Sequence, residues 1–169
     1  GGVGKTTLAS AAYMEIYRQF EACCLFENIR EESSKHGLKK LQETFLSLVL
    51  RTKDIVVGSE KEGRSMIKRR LCHKKVLVVL DDVDDVKQLE ALAGSPDWFG
   101  EGSRIIITTR DKHLLRGRVH TIYEVSLLSH FEATKLFNRH AYREDEPIED
   151  YEMLSKDVVS YASGLPLAL

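Results

Sequence analysis

Cysteine is scarce in this sequence, and no charge sign dominates it. The 169 residues include 3 Cys, two of them adjacent as Cys23 and Cys24, a count too low and too odd for a disulfide framework. That scarcity fits a reducing compartment, so an intracellular location, in the cytoplasm or nucleus, is expected. Lys and Arg number 25 against 26 Asp and Glu, a formal net charge of -1. Such a balance speaks against a chain whose main task is to coat nucleic acid or an anionic membrane. Long hydrophobic runs are missing as well. The apolar stretch from Val76 to Leu80 is far too short to span a bilayer, and none is longer. There is no internal repeat, no low-complexity tract, and nothing at the start that reads as a secretory signal.

What is present suits a folded protein. Hydrophobic residues make up 43% of the chain, enough to bury a core at this length. The length allows one domain, or one domain and the opening of a second. The sequence begins inside a glycine run, Gly1-Gly2-Val3-Gly4-Lys5-Thr6-Thr7. A loop of that kind is normally fed by a strand, so a piece of a longer protein, lacking its first strand, is expected.

Residues 6–20 lack Gly and Pro and read as a helix with Leu8, Ala12 and Ile16 on one face. Residues 22–27 have strand length and are mostly apolar. A polar loop over 30–37 is expected before Leu38, Leu41, Phe45 and Leu48, whose spacings make an amphipathic helix. Residues 60–72 form another helix, with a thin apolar face of Met66, Ile67 and Leu71. Residues 75–80 are apolar on both faces, as in a central parallel strand. A short helix over 86–93, a β-branched strand over 104–109 and a further strand over 121–125 follow. Strands alternating with helices indicate a doubly wound α/β layer with a parallel sheet. Beyond residue 125 the pattern turns helical, over 129–142 (Ser129 and Glu132 forming the cap) and again over 148–161, closed by Gly164 and Pro166. The expected division is a nucleotide-binding core over 1–127 and the opening of a helical subdomain over 128–169.

Three motifs carry chemistry. In a loop of the G-x-x-x-x-G-K-[ST] type, glycines let successive backbone N–H groups turn onto phosphate oxygens, and the following helix adds its dipole. Lys5 supplies a point charge at the β- and γ-phosphates, Thr6 a hydroxyl ligand for Mg2+, and Thr7 a contact to the α-phosphate. The motif's first Gly would fall two residues before Gly1. Next, the strand ending at Leu80 delivers Asp81 and Asp82 at its carboxyl end, where ligands bind in open α/β sheets. Asp81 is expected to hold Mg2+ through water, the Walker B role. Asp82 has two readings, a base that orients or deprotonates water, or a helix cap. Third, Arg104-Ile105-Ile106-Ile107-Thr108-Thr109-Arg110 puts a cation at the same sheet edge. Arg110 can report a γ-phosphate, because guanidinium matches phosphate geometry, or can form a surface salt bridge.

Other features read as structure. Gly164-Leu165-Pro166-Leu167-Ala168-Leu169 is a helix stop followed by a new helix start. Cys23 and Cys24 belong to a buried strand. The six His show no ligand spacing. The basic run over 64–75 lacks interleaved aromatics and reads as a helix face with a loop. Residues 144–150, acidic around Pro147, read as a solvated linker, and Trp98 with Phe99 as core beneath a loop.

With these residues assembled, the chain resembles the NB-ARC nucleotide-binding domain of plant disease-resistance proteins. The resemblance rests on six blocks in order: Gly1 to Thr7, Phe26-Glu27-Asn28-Ile29-Arg30-Glu31-Glu32-Ser33, Val76 to Asp84, Gly102 to Arg110, Leu136-Phe137-Asn138-Arg139-His140-Ala141, and Gly164 to Leu169. Asp84, where the coiled-coil class usually has Trp, and the stretch from Glu27 are similar to the class carrying an N-terminal TIR domain. The resemblance implies a P-loop ATPase switch of the STAND type, held off with ADP and activated when ATP replaces it. It implies that Pro166 and Leu167 lie near the adenine. Gly1, Gly2, Val3, Gly4, Lys5, Thr6, Thr7 and Arg110 would contact the nucleotide, and Thr6 and Asp81 the Mg2+. Partners implied are an adenine nucleotide, the TIR, ARC2 and leucine-rich-repeat regions of one chain, and further copies on activation, with no nucleic acid. A P-loop small-molecule kinase is the alternative from another class, though no lid insertion interrupts the strands. A DNA-dependent ATPase, suggested by the basic run, is a third.

Overall fold

The computed structural model describes residues 1–141 and 152–169. Contacts divide them into two units, Thr6–Ile122 and, separately, Gly1–Lys5 with Tyr123–Leu169.

The larger unit is built on a parallel sheet of three strands in the order β1-β2-β3: β1 (Ala22–Phe26), β2 (Val76–Val83) and β3 (Arg104–Thr109). Cys24 lies opposite Val78, and Val78 opposite Ile105. Parallel neighbours need long crossovers. Between β1 and β2 these are α2 (Ile29–Leu50) and α3 (Glu60–Leu71); between β2 and β3, α4 (Val86–Leu92). The central strand explains its own composition. Val76, Val78 and Leu80 join Cys24, Phe26 and the α2 residues Ile29, Leu41 and Phe45 in one core, while Leu77 and Val79, also fully buried, point to the other face. Burying each large side chain contributes about 1.5–3 kcal/mol.

Local chemistry sets the helix ends. Ser59 caps α3 by accepting the N–H of Glu62, with Glu60 and Glu62 in the first turn and Lys68, Arg69 and Arg70 in the last, as the helix dipole favours. Asp85 caps α4 with Gln88 in a reciprocal capping box. That cap excludes the helix-cap reading of Asp82, whose side chain is engaged elsewhere.

The expected elements need several corrections. Helix α1 spans Lys5–Ile16, and the segment expected to continue it is a 3-10 turn, Tyr17–Gln19. Of its expected apolar face, Leu8 is 47% exposed, and Ala9 is the buried residue. The polar loop expected over 30–37 is helical: α2 is two helical segments, the first starting at Ile29 and ending at Gly37, whose φ of 76° and ψ of 171° are non-helical, the second running on to Leu50. The strand expected over 121–125 does not form. Ile122 and Tyr123 are 41% and 75% exposed, and residues 121–125 pair with none of the three strands of the sheet. Trp98 is partly buried against the core and Phe99 is buried, as expected.

Among the described residues of the smaller unit, α5 (His130–Ala141) and α6 (Glu152–Ala162) are the α-helices. Ser129 accepts the N–H of Glu132, whose carboxylate accepts the N–H of Ser129, so the expected cap forms. After α6, Gly164 takes a φ of 76°, and a side chain there would collide with the Leu128 carbonyl. The N–H of Leu128 donates to Gly164 O at 2.8 Å. Pro166 opens a 3-10 turn, Pro166–Ala168. Tyr142, Ile148, Tyr151 and the acidic stretch 144–150 lie outside the described residues. Among the described residues no helix is long and apolar enough to cross a membrane.

Candidate functional site

The chain's acidic pair sits on a fault in the sheet. Leu80 pairs with Ile107 and Val83 with Thr109, so Asp81 and Asp82 together face the single residue Thr108. This is a β-bulge, and Asp82 accommodates it with a φ of 54°, a conformation Asp tolerates better than most residues. The bulge breaks the strand's strict alternation and aims two successive carboxylates at separate partners.

Asp81 is 3% exposed. Thr108 Oγ1 donates to Asp81 Oδ1 at 2.6 Å and accepts the N–H of Asp82 at 2.9 Å. Thr6, from the first turn of α1, stands 2.9 Å from Asp81 Oδ1 and 3.1 Å from Oδ2, its hydroxyl donating. Among the described residues, the partners of this buried carboxylate are therefore two neutral hydroxyls. A buried anion so placed favours the approach of a cation. The donor set, a hydroxyl and a carboxylate, is the all-oxygen kind that Mg2+ takes. Thr6 and Asp81 thus fit such an ion. Among the described residues no group of three or more His, Cys, Asp or Glu could hold a metal alone.

Asp82 is held between two arginines. Arg30 Nη2 lies 3.1 Å from Oδ2, and Arg110 Nε lies 3.3 Å from Oδ1. Arg30 stands in the first turn of α2, just past β1, and Arg110 directly follows β3. The flanking strands therefore deliver one cation each to the carboxyl end of the central strand. Asp82 is 22% exposed as a side chain, against 43% for Arg30 and 56% for Arg110.

The glycine loop belongs to the smaller unit. Gly2 and Gly4 have φ of 79° and 91°, the left-handed conformations for which the loop needs glycine. Leu167 donates its N–H to Gly2 O at 3.2 Å, and a Cβ on Gly2 would meet Leu167 Cβ at 2.9 Å. Leu167, with Leu165 beside it, therefore lies against the loop, a proximity that periodicity does not reveal. Lys5 opens α1, with Thr7 exposed two residues along it.

The structure thus brings Thr6 to Asp81, Arg110 to Asp82, and Leu167 to Gly2. Two residues escaped the sequence reading, Thr108 and Arg30. Thr108 carried a signal, since it is the penultimate residue of a strand beside the acidic one. Arg30 lay in a segment read as loop. Two open clefts, of about 390 and 530 Å³, lie at the opposite end of the sheet, around Ala22 and Lys74, and touch none of these residues. Cys24, with its thiol pushed up to about 12 by burial and then by Cys23, is an inert core residue.

Residues 1–146 match the model of the NB-ARC domain. The chain belongs to the NB-ARC family. It is similar over its whole length to TMV resistance protein N of Nicotiana glutinosa (48% identity) and to disease resistance protein RUN1 of Vitis rotundifolia (47%), and over 99% of its length to disease resistance-like protein DSC1 of Arabidopsis thaliana (42%). It spans 13–15% of the length of these relatives. As an NB-ARC domain it has the α/β fold of P-loop NTPases, and the parallel sheet agrees with that class. It is a nucleotide-binding module of the plant disease-resistance type.

Proposed function

We propose that this NB-ARC domain is an ADP/ATP-binding switch in an intracellular plant immune receptor of the TIR class, whose product is a conformational state. The observation that carries the reading is the Thr6–Asp81 contact. It joins the residue after the loop lysine to the buried acid of the central strand, the pairing that Mg2+-nucleotide binding requires.

In this reading Gly1, Gly2, Val3 and Gly4 present backbone N–H groups to phosphate oxygens, and Lys5 adds a positive charge. Thr7 contacts the α-phosphate. Thr6 and Asp81 hold Mg2+, which neutralises charge on the phosphates when bound. Arg110 meets a γ-phosphate, and Pro166 with Leu167 borders the adenine. Asp82 is the group available to orient a water, and its engagement with two arginines fits hydrolysis that is slow at most. A ligand shifts a two-state equilibrium only by its differential affinity for the states, so the γ-phosphate contacts decide the outcome. The short span relative to the relatives supports a module within a longer chain, where TIR, ARC2 and repeat regions and further copies are the partners.

Calorimetry on the full-length chain with ADP and ATP·Mg2+ tests the reading, comparing wild type with Lys5→Ala and Asp81→Ala. Co-purifying ADP that Lys5→Ala loses is the expected result. A well-folded wild type that holds no adenine nucleotide sinks it.

A further inference from the structure

One carboxylate holding two guanidiniums is a charge arrangement as well as a scaffold. Each oxygen of Asp82 takes one arginine, Arg30 on Oδ2 and Arg110 on Oδ1, while the Asp82 N–H is fixed on Thr108. The carboxylate is therefore anchored at its backbone and at both oxygens. Arg110 is engaged through Nε, so this pairing does not use its terminal nitrogens, the edge that matches phosphate oxygens.

Two guanidiniums against one carboxylate leave the triad with one net positive charge, while the neighbouring Asp81 is the carboxylate that the reading above assigns to Mg2+. Asp82 is mostly shielded from water, whereas the guanidiniums that carry the excess charge are 43% and 56% exposed, so salt screens that charge and low ionic strength brings it out. A nucleoside triphosphate carries more negative charge than a diphosphate, and it carries it at the terminal phosphate. The excess cation therefore favours the triphosphate. Arg110 alone does not provide it, because Asp82 cancels one of the two cations.

We infer that Arg30 is a specificity-determining residue of this site, supplying through the Arg30–Asp82–Arg110 triad the net positive charge that sets the preference for ATP over ADP. The inference rests on the nucleotide-binding reading above. It makes Asp82 the positioning residue that spaces the two arginines. Variants at Arg30 and Asp82 consequently act in opposite directions and compensate one another. Arg30→Ala leaves the triad neutral, Asp82→Asn leaves two positive charges, and the double variant restores one.

The test is calorimetric titration of the full-length chain with ADP·Mg2+ and with a non-hydrolysable ATP analogue·Mg2+, at low salt. The ratio of triphosphate to diphosphate affinity is the readout. Arg30→Ala is expected to lower that ratio about five-fold, Asp82→Asn to raise it by a similar factor, and Arg30→Lys to leave it near wild type. The double variant Arg30→Ala/Asp82→Asn is expected to return it towards wild type. Loss of fold or of loop geometry weakens both nucleotides together and predicts no such rescue. Should Arg30→Ala fail to fold, Asp82→Asn and the double variant still decide. An unchanged ratio in these variants, with wild type binding both nucleotides, overturns the role of Arg30 alone. Wild type binding neither overturns the nucleotide reading with it.

Discussion

Thr6 Oγ1 lies 2.9 Å from Asp81 Oδ1, although 75 positions separate the two residues. The contact ties the first turn of α1 to the carboxyl end of the central strand. It places a neutral donor on a carboxylate that is otherwise nearly sealed from water. Replacing Thr6 by Val keeps the shape and removes the hydroxyl. If Thr6 and Asp81 share Mg2+, the variant loses roughly tenfold in nucleotide affinity with Mg2+ present and little with the ion chelated. Titrations with and without chelator measure the difference. An equal loss under both conditions would assign Thr6 to packing.

Thr108 does two jobs with one hydroxyl, donating to Asp81 at 2.6 Å and accepting from the Asp82 amide at 2.9 Å. Thr108→Val leaves a buried carboxylate oxygen and a backbone N–H each short of a partner. The expected cost is about 1–3 kcal/mol, larger than for most isosteric changes. Native-state hydrogen exchange reads it locally, at the amides of β2 and β3. Because the bulge rests on the Asp82 amide bond, its protection falls first. Unchanged protection at Asp82 would mean that the bulge is held by the ladder alone.

The legibility of this domain followed the strength of its constraints. Val76 to Leu80 could be read as a central strand because both faces are buried, and residues 104–109 as a strand because β-branched side chains crowd there. The 30–37 segment was hidden because its helix is polar and exposed. Its support comes from local charge such as the Glu31–Lys35 pair, and Gly37, with non-helical backbone, separates it from the amphipathic helix that follows. Residues 121–125 carried a strand pattern, but a strand also requires a neighbour, which a local pattern does not reveal. At the site, Asp81, Asp82 and Arg110 stood out because strand ends project ligands. Arg30 did not, since its role depends on the bulge that turns Asp82 towards it. Which residue adopts a positive φ is a tertiary outcome.

Gly100 marks a close approach that no side chain could survive. A Cβ there would lie 2.7 Å from the backbone atoms of Lys74, two residues before β2. The Gly100 N–H donates to the carbonyls of Leu71 and Lys74, both at 3.0 Å, so the loop before β3 is stitched to the end of α3. Backbone cannot rotate away as a side-chain tip can. Gly100→Ala is therefore expected to destabilise by about 1–3 kcal/mol or more. Faster exchange at the Gly100 amide, with β1 unaffected, is the signature. Wild-type exchange would show that the loop yields freely.

Glu43 makes the stability of the α2–α3 connection depend on pH. Its Oε1 accepts the N–H of the wholly buried Val57 at 3.0 Å, and its Oε2 accepts from Lys40 at 3.0 Å. The Val57 N–H and then the Lys40 ammonium favour the ionised carboxyl, holding its pKa below the usual carboxylate range. In the unfolded chain the same group titrates near its ordinary value, about 4.3. Its contribution is thus complete above that value and declines as pH falls through the lower folded pKa. Glu43→Gln keeps an acceptor for Val57 but loses the charge, so the variant is less stable at neutral pH. On acidification the two proteins converge, because wild type surrenders what the variant never had. Exchange of the Val57 amide, followed from neutral to acidic pH in both, measures the convergence. A gap that stays constant across that range would place the stabilisation in shape and not in charge.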